Sequence, residues 1–572
     1  MLAKPHGRAF CFFLFCALSA PGFAQVFPGA ASPGDRDLIR ERQDRLLEEQ
    51  RKRLEELKEL PGKEAGPAPS TQPSDTRCFP IQHIELKGAE HLAPAERDQL
   101  TAPFAGQCLG VPQLNDLLKR ITDRYIERGY VTTRAYLPQQ DLSDGGLEVL
   151  VVEGKLEGVN SDDSSGLSPR ELEMTYPGRS GEILNLREIE QMVDQLNRLP
   201  SNHAQMELVP GKEVGGSTVQ VKNTPDKPWR ASLSRDNDGQ KSTGEQQWGV
   251  GFEWDSPLGL ADQLTLRSGH DAVSDRTRTS KNRFLSYNLP WGWWNFSYTY
   301  SHSAYASEAQ ASGFAFAQTG DSDSHQLRVE RLVYRDSVSK TSINSGLSHL
   351  RTNNYIEDSR LDISSNRITE FQLGLNHGRR IGNAFVNLDL GWQKGIGAFD
   401  AQGDGHPGPG EPTARYNKYT ATVSYMQSLQ ILGESLSFSS LVTAQRSSDV
   451  LYSPQRISLG GLSSVRGFKD QSLSGDTGGY WRNDLRWSRP VAWDWLRPVF
   501  SEYGAGVGYD MGVIHGGRYN PEAKGRLSSD SLEFFIRGQH ISTSVTFAHS
   551  LERPDALPER EHPIYFSLNF SL

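Results

Sequence analysis

From about residue 226 to the carboxyl terminus the chain alternates apolar and polar residues with a period of two. Nowhere behind the amino terminus does it offer the roughly twenty consecutive apolar residues that a membrane-crossing helix requires. Ala384, Val386, Leu388, Leu390 and Trp392 interleave with Phe385, Asn387, Asp389, Gly391 and Gln393. The scheme recurs at Phe296, Tyr298 and Tyr300, at Leu436, Phe438, Ser440 and Val442, and at Ile564, Phe566, Leu568, Phe570 and Leu572. Successive side chains of a strand point to opposite faces, so each segment has one apolar and one polar face. In lipid every backbone polar group must be paired, which restricts strands to a closed sheet, apolar outside and polar within. Aromatic clusters at Pro290-Trp291-Gly292-Trp293-Trp294 and Trp493–Trp495 fall at strand ends, where amphipathic rings suit the headgroup region. A soluble sandwich would show a polar outer face in place of this lipid-matched band. About 345 residues, at about ten per tilted strand plus connections, accommodate about sixteen antiparallel strands. The expected fold class is a transmembrane β-barrel over residues 226–572.

The amino terminus places Lys4 and Arg8 before an apolar run from Ala9 to Ala20 and small residues ending at Ala24. That order predicts a secretory signal peptide over 1–24, its apolar run being too short to cross about 30 Å of hydrocarbon. Cys11 and Cys16 would leave with it, and Cys78 and Cys108 remain. In an oxidising periplasm the pair is expected as a disulfide closing a loop of about thirty residues, stabilising by about 3 kcal/mol, with two buried thiols as the alternative. The net charge of -9, with no compact basic patch, argues against nucleic acid. No Cys/His cluster has metal-ligand spacing, so neither metal nor cofactor is expected. The absence of Gly-x-Ser-x-Gly, the scattered histidines and the lack of a phosphate-binding Gly-x-x-x-x-Gly-Lys loop point away from an enzyme.

Within 25–60, the segment Asp35–Leu60 is dense in both charge signs, with Ile39, Leu46, Leu47, Leu54, Leu57 and Leu60 as sparse apolar points. It predicts a helix about 39 Å long. Its stripe is too thin for a core helix, leaving a short coiled coil or a helix in a charged, water-filled cavity. Pro61 to Arg77 reads as a flexible linker. Two small α/β modules follow, at 78–154 and 155–225. The first is expected as a strand over Phe79–Leu86, a helix over Val111–Arg128 ended by Gly129, and strands at Val131–Leu137 and Leu147–Glu153. The second is expected as a strand at Lys155–Val159, a helix over Leu186–Leu199, and a hairpin of Met206–Val209 with Ser217–Lys222.

This order, with Val465-Arg466-Gly467-Phe468 in a glycine-rich connection at 459–479, resembles the outer-membrane transporter of two-partner secretion (TpsB). That family of hemolysin and adhesin secretors lies within the Omp85 group. Gly129-Tyr130-Val131-Thr132-Thr133-Arg134-Ala135 and Gly146-Leu147-x-Val149-x-Val151-x-Glu153-Gly154 are similar to the end of the family's first polypeptide-transport-associated (POTRA) domain, and Asn197-Arg198-Leu199-Pro200 to a helix end in its second. Gly508-Tyr509-Asp510-Met511-Gly512 matches the strand on which the loop docks. The resemblance implies that the loop folds into the lumen and Arg466 pairs with Asp510, with Asp484 as a second acidic partner. It also implies that the helix carrying Ile39, Leu46, Leu47 and Leu54 plugs the barrel. The implied partners are a large secreted protein (a hemolysin, an adhesin or a contact-dependent inhibition toxin) bound by the POTRA domains, outer-membrane lipid, and the barrel assembly machinery during biogenesis. An outer-membrane assembly factor and a diffusion porin are the rival functions; the first usually has more modules and no plug, the second has no use for the modules.

Overall fold

The computed structural model describes residues 32–61, 78–272, 277–311, 313–403, 410–517 and 524–572. The expected signal peptide and all but the first residue of the 61–77 linker lie outside them.

A 16-strand antiparallel barrel closes on itself, from Trp229–Asp236 to Ile564–Ser571, with the two-residue strand Ser359–Arg360 inserted at one hairpin. The alternation decides which side chains face lipid. Leu233, Val250, Leu327, Leu373, Leu390, Val507, Leu532 and Leu568 stand exposed on the outer wall. Asn387, Ser424, Ser529 and Asp510 are buried on the inner one. The wall is uneven: Phe314–Arg335 runs for 22 residues, whereas the two strands that meet at the closure run for 8 each. The closure itself rests on a short register, from Asp236↔Ser567 to Ser232↔Ser571. Among the described residues no helix is long and apolar enough to cross a membrane.

In front of the barrel stand the two modules, each a three-stranded sheet packed on helices. The core of the first gathers Leu117, Ile121 and Tyr125 of the helix Val111–Glu127 against Leu147, Val149 and Val151. Ile189, Met192 and Leu196 of the helix Leu186–Asn197 pack on Val219 and Val221 in the second. The single strand expected over Phe79–Leu86 is two. Cys78–Ile81 pairs antiparallel with Gln107–Gly110, whereas His83–Lys87 pairs parallel with the strand Gly146–Val152. One strand cannot continue in both sheets, and the switch falls at Gln82, whose N–H bonds Gly145 O at 2.8 Å. Cys78 and Cys108 are joined across that ribbon, with 5.3 Å between their Cα atoms. The strand expected over Val131–Leu137 shrinks to Arg134–Tyr136, because Gly129 at φ +93° starts a turn that uses the N–H groups of Val131 and Thr133. Two short helices, Pro94–Thr101 and Pro169–Thr175, carry too little apolar periodicity to be read from sequence.

The second module sits against the periplasmic turns of the barrel. Gly292 N–H donates to Met174 O at 2.7 Å, and Arg335 donates to Glu190 Oε2 at 3.0 Å and also pairs with Asp194. Gly292 has φ +55°, and a Cβ there would stand 3.0 Å from Pro177 Cα, so a glycine turn permits the close approach.

Candidate functional site

The lumen holds two elements, a helix and a loop. The helix runs over Pro33–Lys58, two residues ahead of the expected Asp35–Leu60. Ser32 caps it, accepting from Asp35 N–H at 3.0 Å while Asp35 accepts from Ser32 N–H, and Pro33 supplies a preset first turn. Its amino-terminal end lies under the extracellular loops, with Gly34 against Tyr305, and its carboxyl-terminal end packs Leu54, Leu57 and Leu60 on Phe385 near a periplasmic turn. Ile39 and Leu54 are buried, Leu46 and Leu47 half-buried, and Leu47 touches the apolar cluster of the inward loop.

Polar bonds attach it along the rest of its length, and sequence periodicity gave no sign of them. Gln50 donates to Asp389 Oδ2 at 2.5 Å and accepts from Asn387 at 3.0 Å and Ser424 at 2.8 Å. Glu48 receives both ends of the Arg267 guanidinium at 2.9 Å. Arg53 spans Glu49 and Glu330, each at 3.0 Å, and Arg328 returns to Glu49 at 3.1 Å. Arg40 donates to Asp238 O at 2.6 Å, and Asp44 accepts from Ser463 of the loop. The Glu48–Arg267 pair, open to water, contributes at most about 1 kcal/mol, whereas Gln50 and Arg53 make their contacts largely out of solvent and fix the orientation of the helix. On the side of the closure the helix leaves a polar gap of about 580 Å³ bordered by Arg40, Asp44, Glu48, Ser234 and Gly249.

The loop connects the strand ending at Ser447 to the one starting at Thr477, so residues 477–479 of the expected 459–479 belong to the barrel wall. It turns inward as a ribbon of Ile457–Leu459 paired with Leu473–Gly475, and Gly460 and Gly461 at φ +128° and +92° begin its tip. Val465 and Phe468 are fully buried with Leu459, Tyr480, Ile514 and Leu527. Arg466 meets two strands. Its Nε donates to Asp510 Oδ2 at 2.8 Å and its Nη2 to Asp510 Oδ1 at 2.6 Å, while Nη1 reaches Asp484 Oδ1 at 2.5 Å. Asp510 also accepts Arg466 N–H at 3.0 Å and the Ser529 hydroxyl at 3.2 Å, and Tyr565 OH donates to Arg466 O at 2.9 Å. The wall is shaped to admit this contact. A Cβ on Gly467 would stand 2.5 Å from Ser529 Cβ, and one on Gly508 2.4 Å from Arg466 Nη2.

A second clamp lies beyond sequence reasoning. Glu561, from the last extracellular connection, accepts the N–H groups of Lys469, Asp470 and Gln471 at 2.7, 3.0 and 2.9 Å. Nothing in the residues around Glu561 marks it, because its partners lie about ninety residues away. The loop is thus fixed by one guanidinium on two carboxylates and one carboxylate on three amides.

Residues 215–535 match the family described as haemolysin secretion/activation protein ShlB/FhaC/HecB, residues 79–154 a ShlB-type POTRA domain, and residues 155–210 a POTRA domain. The outer membrane transporter CdiB of Escherichia coli O6:K15:H31 (strain 536 / UPEC) is 34% identical over 537 residues, covering 94% of this chain and 90% of that one. CdiB of Dickeya dadantii (strain 3937) is 31% identical, with 93% of each covered. The solved structure of CdiB from Escherichia coli superposes with a TM-score of 0.87 at 34% identity, covering 95% of this chain and 99% of that one.

Proposed function

Because the chain belongs to the ShlB/FhaC/HecB family of haemolysin secretion/activation proteins, we propose a route by which this outer-membrane transporter of two-partner secretion moves its secreted partner. The partner's unfolded amino-terminal part adds a strand to a free sheet edge of the periplasmic modules. The strand Gln205–Pro210 offers one: among the described residues it pairs only with Gly216–Lys222, and its outward residues Gln205 and Glu207 are exposed. Strand addition gives affinity through the main chain, which suits a partner read before it folds. Binding draws the lumen helix into the periplasm, and the partner crosses as an extended hairpin whose folding outside makes exit irreversible without a nucleotide.

The observation that carries this reading is the helix itself. It occupies the lumen through many hydrogen bonds and ion pairs that water can replace, with apolar packing confined to small patches such as Leu54, Leu57 and Leu60 on Phe385. Coverage over nine-tenths of the CdiB transporters favours a contact-dependent inhibition toxin as the partner over a hemolysin or adhesin. The barrel assembly machinery inserts the chain. Removing 35–60 and recording conductance across a planar bilayer tests the plug: a several-fold larger conductance is expected, and an unchanged one would remove the helix from the mechanism.

A further inference from the structure

The outer wall carries charge where lipid-facing positions should be apolar. Tyr298, Leu327 and Leu347 lie in one cross-strand row with Phe371, and Tyr298 and Leu327 stand exposed, so every second residue from these also faces outward. Four residues further toward the extracellular side the register aligns Arg283, His302, Asp323, Arg351 and Arg367 on five consecutive long strands. Between the two rows His325 lies directly opposite His349.

Like charges directly opposite each other are unfavourable in a sheet, and this wall places Arg351 opposite Arg367. The local anions do not cancel the excess. Asp323 already accepts Tyr300 OH and His302 Nδ1, each at 2.9 Å, and Asp400 pairs with Arg367. In the next row up Asp321 accepts from Asn353 at 3.0 Å and shares that row with Lys281, so Lys281, Arg283, Arg351 and Arg367 outnumber the three carboxylates. Arg283 and Arg351 are exposed and have no ion-pair partner among the described residues. From Trp294, beside a periplasmic turn, to His302 is eight residues along the strand. At about 3.3 Å per residue and a tilt of about 40° that is about 20 Å up the wall, near the top of an apolar band about 25 Å tall. The row therefore stands at the headgroups of the outer leaflet.

We propose that this row binds the phosphates of a phosphorylated glycolipid of the outer leaflet, with Arg283 and Arg351 as the two principal phosphate ligands. Guanidinium groups grip phosphate through paired N–H donors. The two arginines are three strand spacings apart, about 14 Å, which fits a disaccharide headgroup phosphorylated at both ends better than a single phosphate. Leu285, Leu327, Leu347 and Phe371, below the row on the same face, receive the acyl chains. An ordered lipid here would brace the side of the barrel remote from its short closing strands.

The test uses the full-length protein in detergent, stripped of native lipid and titrated with bisphosphorylated lipid A or with lipid A lacking phosphate. Native mass spectrometry reads the bound fraction, and thermal unfolding of the barrel reads stabilisation. The wild type should bind the bisphosphorylated form at least ten-fold tighter. The Arg283→Gln/Arg351→Gln double variant should lose at least ten-fold, whereas Arg446→Gln, exposed beside the outward Tyr419 elsewhere on the barrel, should bind as the wild type. Photoreactive lipid A on the wild type should label peptides from 279–291 and 339–356, a readout that needs no variant. Equal binding of both lipids, an equal loss in Arg446→Gln, or labelling spread evenly around the barrel would overturn the proposal. Displacement of the lipid by an anionic protein at equal affinity would overturn it as well.

Discussion

Arg466 grips Asp510 through two parallel hydrogen bonds, Nε to Oδ2 at 2.8 Å and Nη2 to Oδ1 at 2.6 Å, and the aspartate is wholly buried. The geometry joins a loop tip to a strand 44 residues on and is available to arginine alone, since lysine cannot present a planar fork. Removing one partner of a buried pair costs about 3–5 kcal/mol, because the other charge is left uncompensated. Arg466→Ala should therefore release the loop tip, leaving Asp510 without its cation and Asp484 with Arg482 alone. The expected outcome is near-normal barrel assembly, judged by heat-modifiable migration, with secretion reduced at least ten-fold. Arg466→Lys should recover only part of it, and full secretion by the alanine variant would refute the lock.

Gln50 reaches three wall residues near the middle of the lumen helix. Each lost bond there costs about 1 kcal/mol once water replaces it. Gln50→Ala should therefore raise the frequency of channel openings about ten-fold or more in single-channel recordings, with secretion retained. Openings at the wild-type frequency would show that the helix is held elsewhere.

Arg335 is buried between the barrel and Glu190 and Asp194 of the second module. Arg335→Ala removes the barrel's guanidinium from Glu190 and Asp194, one turn apart on the module's helix, and leaves them only Arg187 and Lys340, a loss of about 2 kcal/mol from the contact. Cleavage by added protease within 223–228, the connection between module and barrel, should accelerate several-fold, while the closed lumen keeps its conductance. Cleavage at the wild-type rate would mean that the dock rests on the Gly292 turn alone.

Asp238, two residues past the first barrel strand, takes a contact from Arg40 at the extracellular end of the lumen helix. Burial lifts its carboxyl to about 7, against the pull of Arg40 and with the help of Asp44 and Asp236. A carboxyl raised in the folded state stabilises that state when protonated, and this contribution fades as pH rises through 7. The helix end should therefore be held more firmly at pH 6 than at pH 8. Channel openings are expected to increase over that interval, and Asp238→Asn should flatten the dependence.

Period-two alternation in segments such as Ala384–Trp392 is a local property: every second side chain of a strand faces the same way, whatever the strand pairs with. That alternation, together with the missing apolar helix, determined a barrel. The turn residue Gly129 marked the end of a helix for an equally local reason, its positive φ. The helix at residues 33–58 was legible as a helix, but its apolar points showed only part of its attachment.

Tertiary structure decided the rest. Gln50 finds Asn387 across 337 residues, Arg335 finds Glu190 across 145, and the amides of 469–471 find Glu561 across about ninety. The row of Arg283, His302, Asp323, Arg351 and Arg367 exists only because five strands pair in one register. A single polar residue on a lumen-facing position is the same in sequence whether its partner is water, a neighbouring strand or a helix threaded through the pore. Which of these it meets is set by the shear and closure of the barrel, and those are properties of all the strands together and of no one segment.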